Sequence, residues 1–296
     1  MTSNPIFRGV ATALITPLTA SGVDYPALGR LIDWQISEGV NALVIAGTTG
    51  EGSTLTDEEH RKLLRYSVEH AAGRIPIIAG TGSNDTAYAI SLTKYACEVG
   101  CDAMLVVTPY YNKATQNGLV QMYTAIANAS TKPLILYNVP SRTGVNIQPA
   151  TYQKLAQHPM IAGIKEANGD ISSIVTTASL AGDSLSIYSG NDDQIVPILS
   201  MGGSGVISVL SNVLPRKTVE ICTRFWSGDI IGSAALQCEL LPLIHALFSE
   251  VNPIPVKAAL EIMGKSKMEF RLPLCEPEDA TVELLRKELK AYGIIK

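Results

Sequence analysis

Eight short β-branched runs punctuate this chain, each ending in polar or glycine residues and each followed by a longer stretch of helical period. They are VATALITP from Val10, NALVIAGTTG from Asn41, PIIAGTG from Pro76, AMLVVTPYY from Ala103, PLILYNVP from Pro133, IAGIKEA from Ile161, LSIYSGND from Leu185 and GVISVLSN from Gly205. Parallel neighbours need a long connection, and a helix that lays its apolar face on the sheet supplies it, so this alternation specifies parallel α/β structure. The helical stretches carry their own punctuation. TDEEHRKLLRYSVEHAAG opens at the capping residue Thr56, has acids in its first turn and stops at Gly73. Eight such units within residues 1–225 predict a closed (β/α)8 TIM barrel. A doubly wound sheet would need a switch point and a glycine-rich nucleotide turn, and neither GxGxxG nor GxxxxGK[ST] follows any run.

Past Phe225 the strand signal ends. GDIIGSAALQCELLPLIHALFSE, NPIPVKAALEIMG and EPEDATVELLRKELKAYG read as helices, so residues 226–296 are expected to form a small C-terminal helical appendage beside a catalytic barrel of residues 1–225. Pro253 and Pro255 stand where a helix would start, which makes NPIP a turn into that helix. With 46% hydrophobic and 17% charged residues, the 296-residue chain holds enough apolar material for one large core or two modest domains. A net charge of −4 leaves no electrostatic footprint for nucleic acid. The N-terminus lacks a basic region followed by an uninterrupted apolar one, and no later apolar run approaches about 18 residues, so a cytoplasmic protein without a membrane partner is expected. Cys97, Cys101, Cys222, Cys238 and Cys275 lie in apolar or helix-like contexts and read as buried thiols, with Cys97 and Cys101 facing one another on a helix. The four histidines are scattered and suggest no metal site.

In a barrel of this kind the chemistry gathers at the C-terminal ends of the strands. Those ends carry Gly47 to Glu51, Thr108 to Tyr111, Tyr137 to Arg142, Lys165 with Glu166, Gly190 to Asp192, and Ser208 to Asn212. Lys165 is the sharpest anomaly, a lysine in an apolar strand where burying a charge is costly. Burial favours the neutral, nucleophilic form of an amine, which attack on a ketone requires. From position alone, a lysine on the outer face of the strand or in a structural ion pair fits equally well. Glu166 is adjacent in the strand and points to the opposite face, so hydroxyls such as Tyr137 and Thr48 are left to move protons. Tyr137 also reads as a core aromatic, and Thr48 with Thr49 as an ordinary glycine-flanked turn. Arg142, in a Pro-Ser-Arg-Thr-Gly loop at the mouth, has the planar fork that suits a carboxylate, with a loop-to-loop salt bridge as the other reading. GGSG at Gly202 to Gly205 precedes a strand instead of following one, so it reads as a helix-to-strand turn and not as a phosphate cradle.

GTTGE at Gly47 to Glu51, TPYYNK at Thr108 to Lys113, YNVPSRTG at Tyr137 to Gly144, GIKEA at Gly163 to Ala167 and NPIPVK at Asn252 to Lys257, taken in order over essentially the whole chain, resemble the dihydrodipicolinate synthase family. That resemblance implies condensation of pyruvate with aspartate 4-semialdehyde to 4-hydroxy-tetrahydrodipicolinate, a step toward diaminopimelate and lysine, with no metal or organic cofactor. It implies that pyruvate forms an imine with Lys165. Tyr137, Thr48 and a Tyr111 reaching in from a neighbouring subunit would then relay protons in a homotetramer. Thr49 and the Gly190 and Ile207 backbones would hold pyruvate, and Arg142 the semialdehyde carboxylate. Superfamily relatives such as N-acetylneuraminate lyase and 2-keto-3-deoxygluconate aldolase share the lysine and tyrosine but generally lack the arginine. A catalytically silent barrel that binds a small acid would be expected to lose Lys165 or Tyr137, and both are present. In lysine-inhibited relatives the effector lies near the positions of Gly52, Ser53, Asp57, His60, Asn84, Tyr88 and Tyr110, and a carboxylate at the position of Tyr88 holds its ammonium. Tyr88 and Gly52 depart from that pattern, so the resemblance implies weak lysine inhibition here.

Overall fold

The structure is a computed structural model and describes residues 5–296. Its eight parallel strands are β1 (Gly9–Ala13), β2 (Ala42–Ile45), β3 (Ile77–Gly80), β4 (Ala103–Val107), β5 (Leu134–Asn138), β6 (Ile161–Glu166), β7 (Ser186–Ser189) and β8 (Gly205–Ser208). Each pairs with the next, and β8 pairs with β1, closing the (β/α)8 barrel that the alternation predicts. Every strand overlaps its predicted run, β1 starting one residue earlier at Gly9, and several end on the polar residues of the mouth, among them Asn138, Glu166 and Ser208. A small antiparallel pair, Leu18–Thr19 with Gly22–Val23, was not anticipated, because two-residue arms are too short to register a period.

Alternation along each strand sorts side chains into two layers. Ala11, Val44, Ile78, Leu105, Ile135, Tyr137, Tyr188 and Ile207 belong to the inner cluster, with Phe7 stacked on Tyr188 at 4.2 Å between ring centroids. Their alternates, among them Leu43, Ile45, Met104, Val106, Leu136 and Ile164, belong to the larger cluster shared with the helices. Those helices are α1 (Tyr25–Ser37), α2 (Asp57–Ala71), α3 (Thr86–Glu98), α4 (Gln116–Ala129), α5 (Pro149–Leu155), α6 (Ile171–Ala181), α7 (Ile195–Ser200) and α8 (Pro215–Trp226). Thr56 caps α2 in a reciprocal box with Glu59, as its sequence predicts. Gly205, at φ +141°, lets β8 approach β1 so closely that a Cβ there would lie 1.8 Å from the Gly9 carbonyl oxygen. The GGSG segment is thus a helix-to-strand turn.

Three further helices follow: α9 (Ile230–Leu247), α10 (Ile254–Ile262) and α11 (Asp279–Ala291). Contrary to the expectation that no apolar run approaches membrane-spanning length, α9 has 18 residues and is apolar enough to cross a membrane by length and composition. Its buried residues, including Leu236, Leu240, Leu243 and Leu247, pack into the same apolar cluster as the outer layer of the barrel, which accounts for that composition. The cysteines correct a second expectation. Cys101 and Cys222 are buried, but Cys238 and Cys275 are exposed. Cys97 and Cys101 do not share a helix face, because α3 ends at Glu98 and Gly100 turns the chain at φ +94°.

Lys257 on α10 is completely buried. Its Nζ lies 2.5 Å from Glu51 Oε1 and also donates to the Glu269 carbonyl. Glu51 lies in the loop after β2 and sits in the left-handed region at φ 54°, so this pair ties the appendage to the barrel mouth. Breaking a buried pair leaves one desolvated charge without a partner, which costs about 3–5 kcal/mol. Lys257→Met should therefore lower the urea-unfolding free energy by about that much, and adding Glu51→Gln should recover part of it. An unchanged unfolding midpoint in Lys257→Met would show that the pair does not hold the two units together.

Candidate active site

The register between β5 and β6 sets Tyr137 beside Lys165 and Asn138 beside Glu166. Lys165 shares its face of β6 with Gly163, whose missing Cβ makes room for the Tyr188 ring: a Cβ there would lie 3.3 Å from Tyr188 Cε2. Lys165 is therefore on the inner face, and only 5% of its surface is exposed. Its Nζ lies 4.2 Å from the centroid of the Tyr137 ring, and among the described residues it makes no ion pair.

Glu166 faces the helix layer, as strand alternation requires. Its carboxylate accepts hydrogen bonds from Tyr152 Oη at 2.9 Å, Asn138 Nδ2 at 2.9 Å and the Asn168 N–H at 2.9 Å. Burial pushes its pKa up to about 7, against the opposing pull of those hydrogen bonds.

A cavity of about 440 Å³ opens over the ends of β2 to β5. Thr48, Tyr137 and Arg142 line it together, and so do Ser53, His60, Tyr88 and Tyr110. Thr49 lies buried behind this surface, where its hydroxyl oxygen accepts from Asn252 Nδ2 at 3.0 Å. Arg142 Nη2 donates to the Asn252 carbonyl at 3.1 Å. The Gly190 N–H donates to the Glu166 carbonyl at 2.7 Å. Ile207 belongs to the inner cluster one position before the end of β8. Lys165 itself is not among the lining residues and meets the cavity through the Tyr137 ring, whereas Tyr111 stands apart from the others, 93% exposed and at φ 69°.

The proposed effector positions form a connected group. His60 Nε2 lies 2.9 Å from the Gly80 carbonyl, and burial pulls its pKa down to about 4. Asn84 Nδ2 donates to the Tyr110 carbonyl at 3.3 Å. Asp57 is bonded to both Arg61, at 2.8 Å, and Tyr88. Gly52 cannot carry a side chain in this backbone, because a Cβ would lie 2.3 Å from the Ala46 carbonyl oxygen. Sequence reasoning passed over Asn252, Lys257 and the Glu51 partnership. A lysine inside the apolar PVKAAL run was the available signal, of the same kind that singled out Lys165. Among the described residues no group of three or more His, Cys, Asp or Glu side chains is placed to hold a metal ion.

A closed (β/α)8 barrel with a buried amine beside a tyrosine at the C-terminal ends of its strands has the architecture of a barrel enzyme. Residues 6–292 match the Dihydrodipicolinate synthetase family, and the chain belongs to it. It is 50% identical over 293 residues to the 4-hydroxy-tetrahydrodipicolinate synthase of Thermoanaerobacter sp. (strain X514), covering 99% of each chain. A solved dihydrodipicolinate synthase from Thermotoga maritima superposes with a TM-score of 0.96 at 46% identity, covering 98% of this chain and 100% of that one. The same enzyme from Cyanidioschyzon merolae, solved with lysine bound, superposes at 0.95 with 38% identity, covering 99% and 100%.

The Glu166 environment carries a pH dependence. A carboxyl whose folded pKa is raised to about 7 from an unfolded value near 4.5 keeps its proton in the fold after the unfolded chain has lost it, so stability falls as pH rises between those values. Relative to Glu166→Gln, which cannot titrate, the native protein should lose about 3 kcal/mol of unfolding free energy between pH 4.5 and pH 8. Parallel stability curves for the two proteins over that range would contradict this assignment.

Proposed function

We propose that this chain catalyses the reaction of 4-hydroxy-tetrahydrodipicolinate synthases, a lyase-class condensation of pyruvate with L-aspartate 4-semialdehyde in diaminopimelate and lysine synthesis. The observation that carries the reading is Lys165, a buried amine that makes no direct ion pair among the described residues, held over the Tyr137 ring at the barrel mouth. The Lys165 nitrogen attacks the ketone carbon of pyruvate, water leaves and an imine forms. Loss of a methyl proton gives the enamine, whose carbon attacks the aldehyde. Tyr137 and Thr48 line the same cavity and move the protons with Tyr111. Thr49 and the Gly190 and Ile207 backbones hold pyruvate, and the Arg142 fork receives the semialdehyde carboxylate. Residues 1–225 carry this chemistry, residues 226–296 brace it, and the reaction belongs in the cytoplasm. The Arg142 position favours this substrate over the sugar acids of related aldolases.

A coupled assay with both substrates tests the reading directly. Lys165→Ala should lower kcat by several orders of magnitude, and Lys165→Arg should fail as well, because a guanidinium stays protonated. Arg142→Ala should cost about 1.5–3 kcal/mol, or roughly ten- to a hundredfold in kcat/KM for the semialdehyde, with pyruvate binding intact. If Arg142→Ala used the semialdehyde as well as the native enzyme does, the sugar-acid aldolase reading would take precedence.

Tyr111 defines the assembly we propose. An exposed tyrosine with a left-handed backbone beside the mouth is suited to reach a neighbouring copy's site, in a homotetramer built as a dimer of dimers. Mixing inactive Tyr111→Phe with inactive Lys165→Ala subunits should restore activity, since one shared site then holds both residues. No recovery after verified subunit exchange would place Tyr111 in its own barrel.

Inhibition by lysine should be weak, because Tyr88 offers no charge to an ammonium and Asp57 is already engaged by Arg61. Losing one charged hydrogen bond of about 1.5–3 kcal/mol raises an inhibition constant roughly ten- to a hundredfold. Half-inhibition below about 1 mM lysine, a binding free energy near −4 kcal/mol, would overturn this expectation.

A further inference from the structure

Asp192 has no part in the chemistry above, yet it is a buried carboxylate just past the strand that neighbours Lys165. It follows β7, whose Tyr188 pairs in register with Lys165. The Gly190 N–H donates to the Glu166 carbonyl at 2.7 Å, so the chain leaving β7 folds directly over the end of β6. The side chain is then fixed from the other side. Asp192 Oδ2 accepts the N–H groups of Val209 at 3.0 Å and Leu210 at 2.9 Å, just past the end of β8, and Ser208 adds a side-chain hydrogen bond. Only 3% of the residue is exposed.

Oδ1, the other carboxylate oxygen, is buried with no hydrogen-bond partner. A buried carboxylate oxygen left without a donor is costly unless a cation faces it. Glu166 is not available to Lys165, because its oxygens are taken by Tyr152, Asn138 and Asn168 on the outer side of the strand. The residues paired with Lys165 on either side are aromatic: the Tyr137 ring lies under its Nζ, and Tyr188 gives its hydroxyl to the Phe7 carbonyl at 2.9 Å. One uncompensated buried cation and one uncompensated buried carboxylate thus stand at the ends of adjacent strands. The electrostatics agree: burial raises the Asp192 pKa, while its hydrogen bonds and the Lys165 charge pull it back.

We propose that Asp192 is the counter-charge of Lys165, a positioning residue that stabilises the ammonium of the free enzyme and the protonated imine that replaces it. Imine formation exchanges one cation for another at the same nitrogen: the C–N bond forms, the ketone oxygen leaves as water and the net charge beside Asp192 is unchanged. The carboxylate takes up no proton in this step. It keeps the site prepared for the cationic imine that precedes the neutral enamine and that forms again once the carbon–carbon bond is made. The inference rests on the Schiff-base reading of Lys165 and adds the residue that makes its charge tolerable.

Asp192→Asn keeps an acceptor for the Val209 and Leu210 amides and removes the charge. Reductive trapping of the pyruvate adduct with borohydride, measured from pH 5 to pH 10, should show a window in the native enzyme. In the variant, the alkaline limb of that window should move down by about one unit or more, because an imine proton is held less firmly without its anion. An unmoved window in a folded Asp192→Asn protein overturns the proposal, whereas absence of trapping in the native enzyme overturns the Schiff-base reading itself. Lys165→Met supplies a test that needs neither trapping nor a folded Asp192 variant. It leaves Asp192 alone, so its melting temperature should fall below that of the native protein at pH 8 and approach it as the pH is lowered toward 5. A Lys165→Met protein at least as stable as the native one at pH 8 would show that the two charges are not a pair.

Discussion

Burying an amine inside a closed barrel is the constraint on which the rest of this structure depends. A lysine side chain on the inner face of β6 has no route to bulk water except through the mouth, so every neighbour must accommodate it. Gly163 gives up its side chain to let Tyr188 fill the space below, Tyr137 lays its ring under the nitrogen, and Glu166 turns outward by the two-residue repeat of the strand. The strand that carries Lys165 therefore also separates it from the nearest carboxylate in sequence. A one-residue shift in register would exchange their faces and put the acid, not the amine, in the site.

The mouth is held from outside as well as from below. Thr49 and Arg142 belong to different βα loops, yet both bond to Asn252, which lies beyond the barrel in the turn before α10. Glu51, two residues after Thr49, is clamped by Lys257 of α10. Loops are the mobile part of a barrel, and side chains that must meet a substrate within fractions of an ångström need a rigid backing. The appendage supplies it, which gives a physical reason for attaching a helical unit to a fold that could close without one. The strained left-handed backbone at Ala46 and Glu51 is maintained by the same clamp.

How much of this was legible in the sequence follows from the range of each signal. Strand and helix periods are local, and eight repeats of one unit leave little freedom of topology, so the barrel and the opposite facing of Lys165 and Glu166 could be read from the chain, but not which of the two faces inward. Motif order placed Thr48, Tyr137 and Arg142 at one mouth, and the structure finds them lining one cavity. Partnerships across long separations carry no local signal. Lys257 and Glu51 are 206 residues apart, and Asn252 and Thr49 are 203 apart. Cys238 and Cys275 failed for a related reason, since an apolar neighbourhood in sequence does not say which face of an element the thiol occupies. Tyr111 marks a different boundary: it is exposed in a single copy, and the contact with a neighbouring copy that we propose for it leaves no signal within one chain.

The central claim is that Lys165 is the covalent nucleophile, and one measurement addresses it most directly. Protein incubated with pyruvate and reduced with borohydride should gain a single pyruvate-derived mass increment per chain, and peptide mapping should place it on the peptide containing Lys165. No increment, or an increment located on any other lysine, would contradict the account.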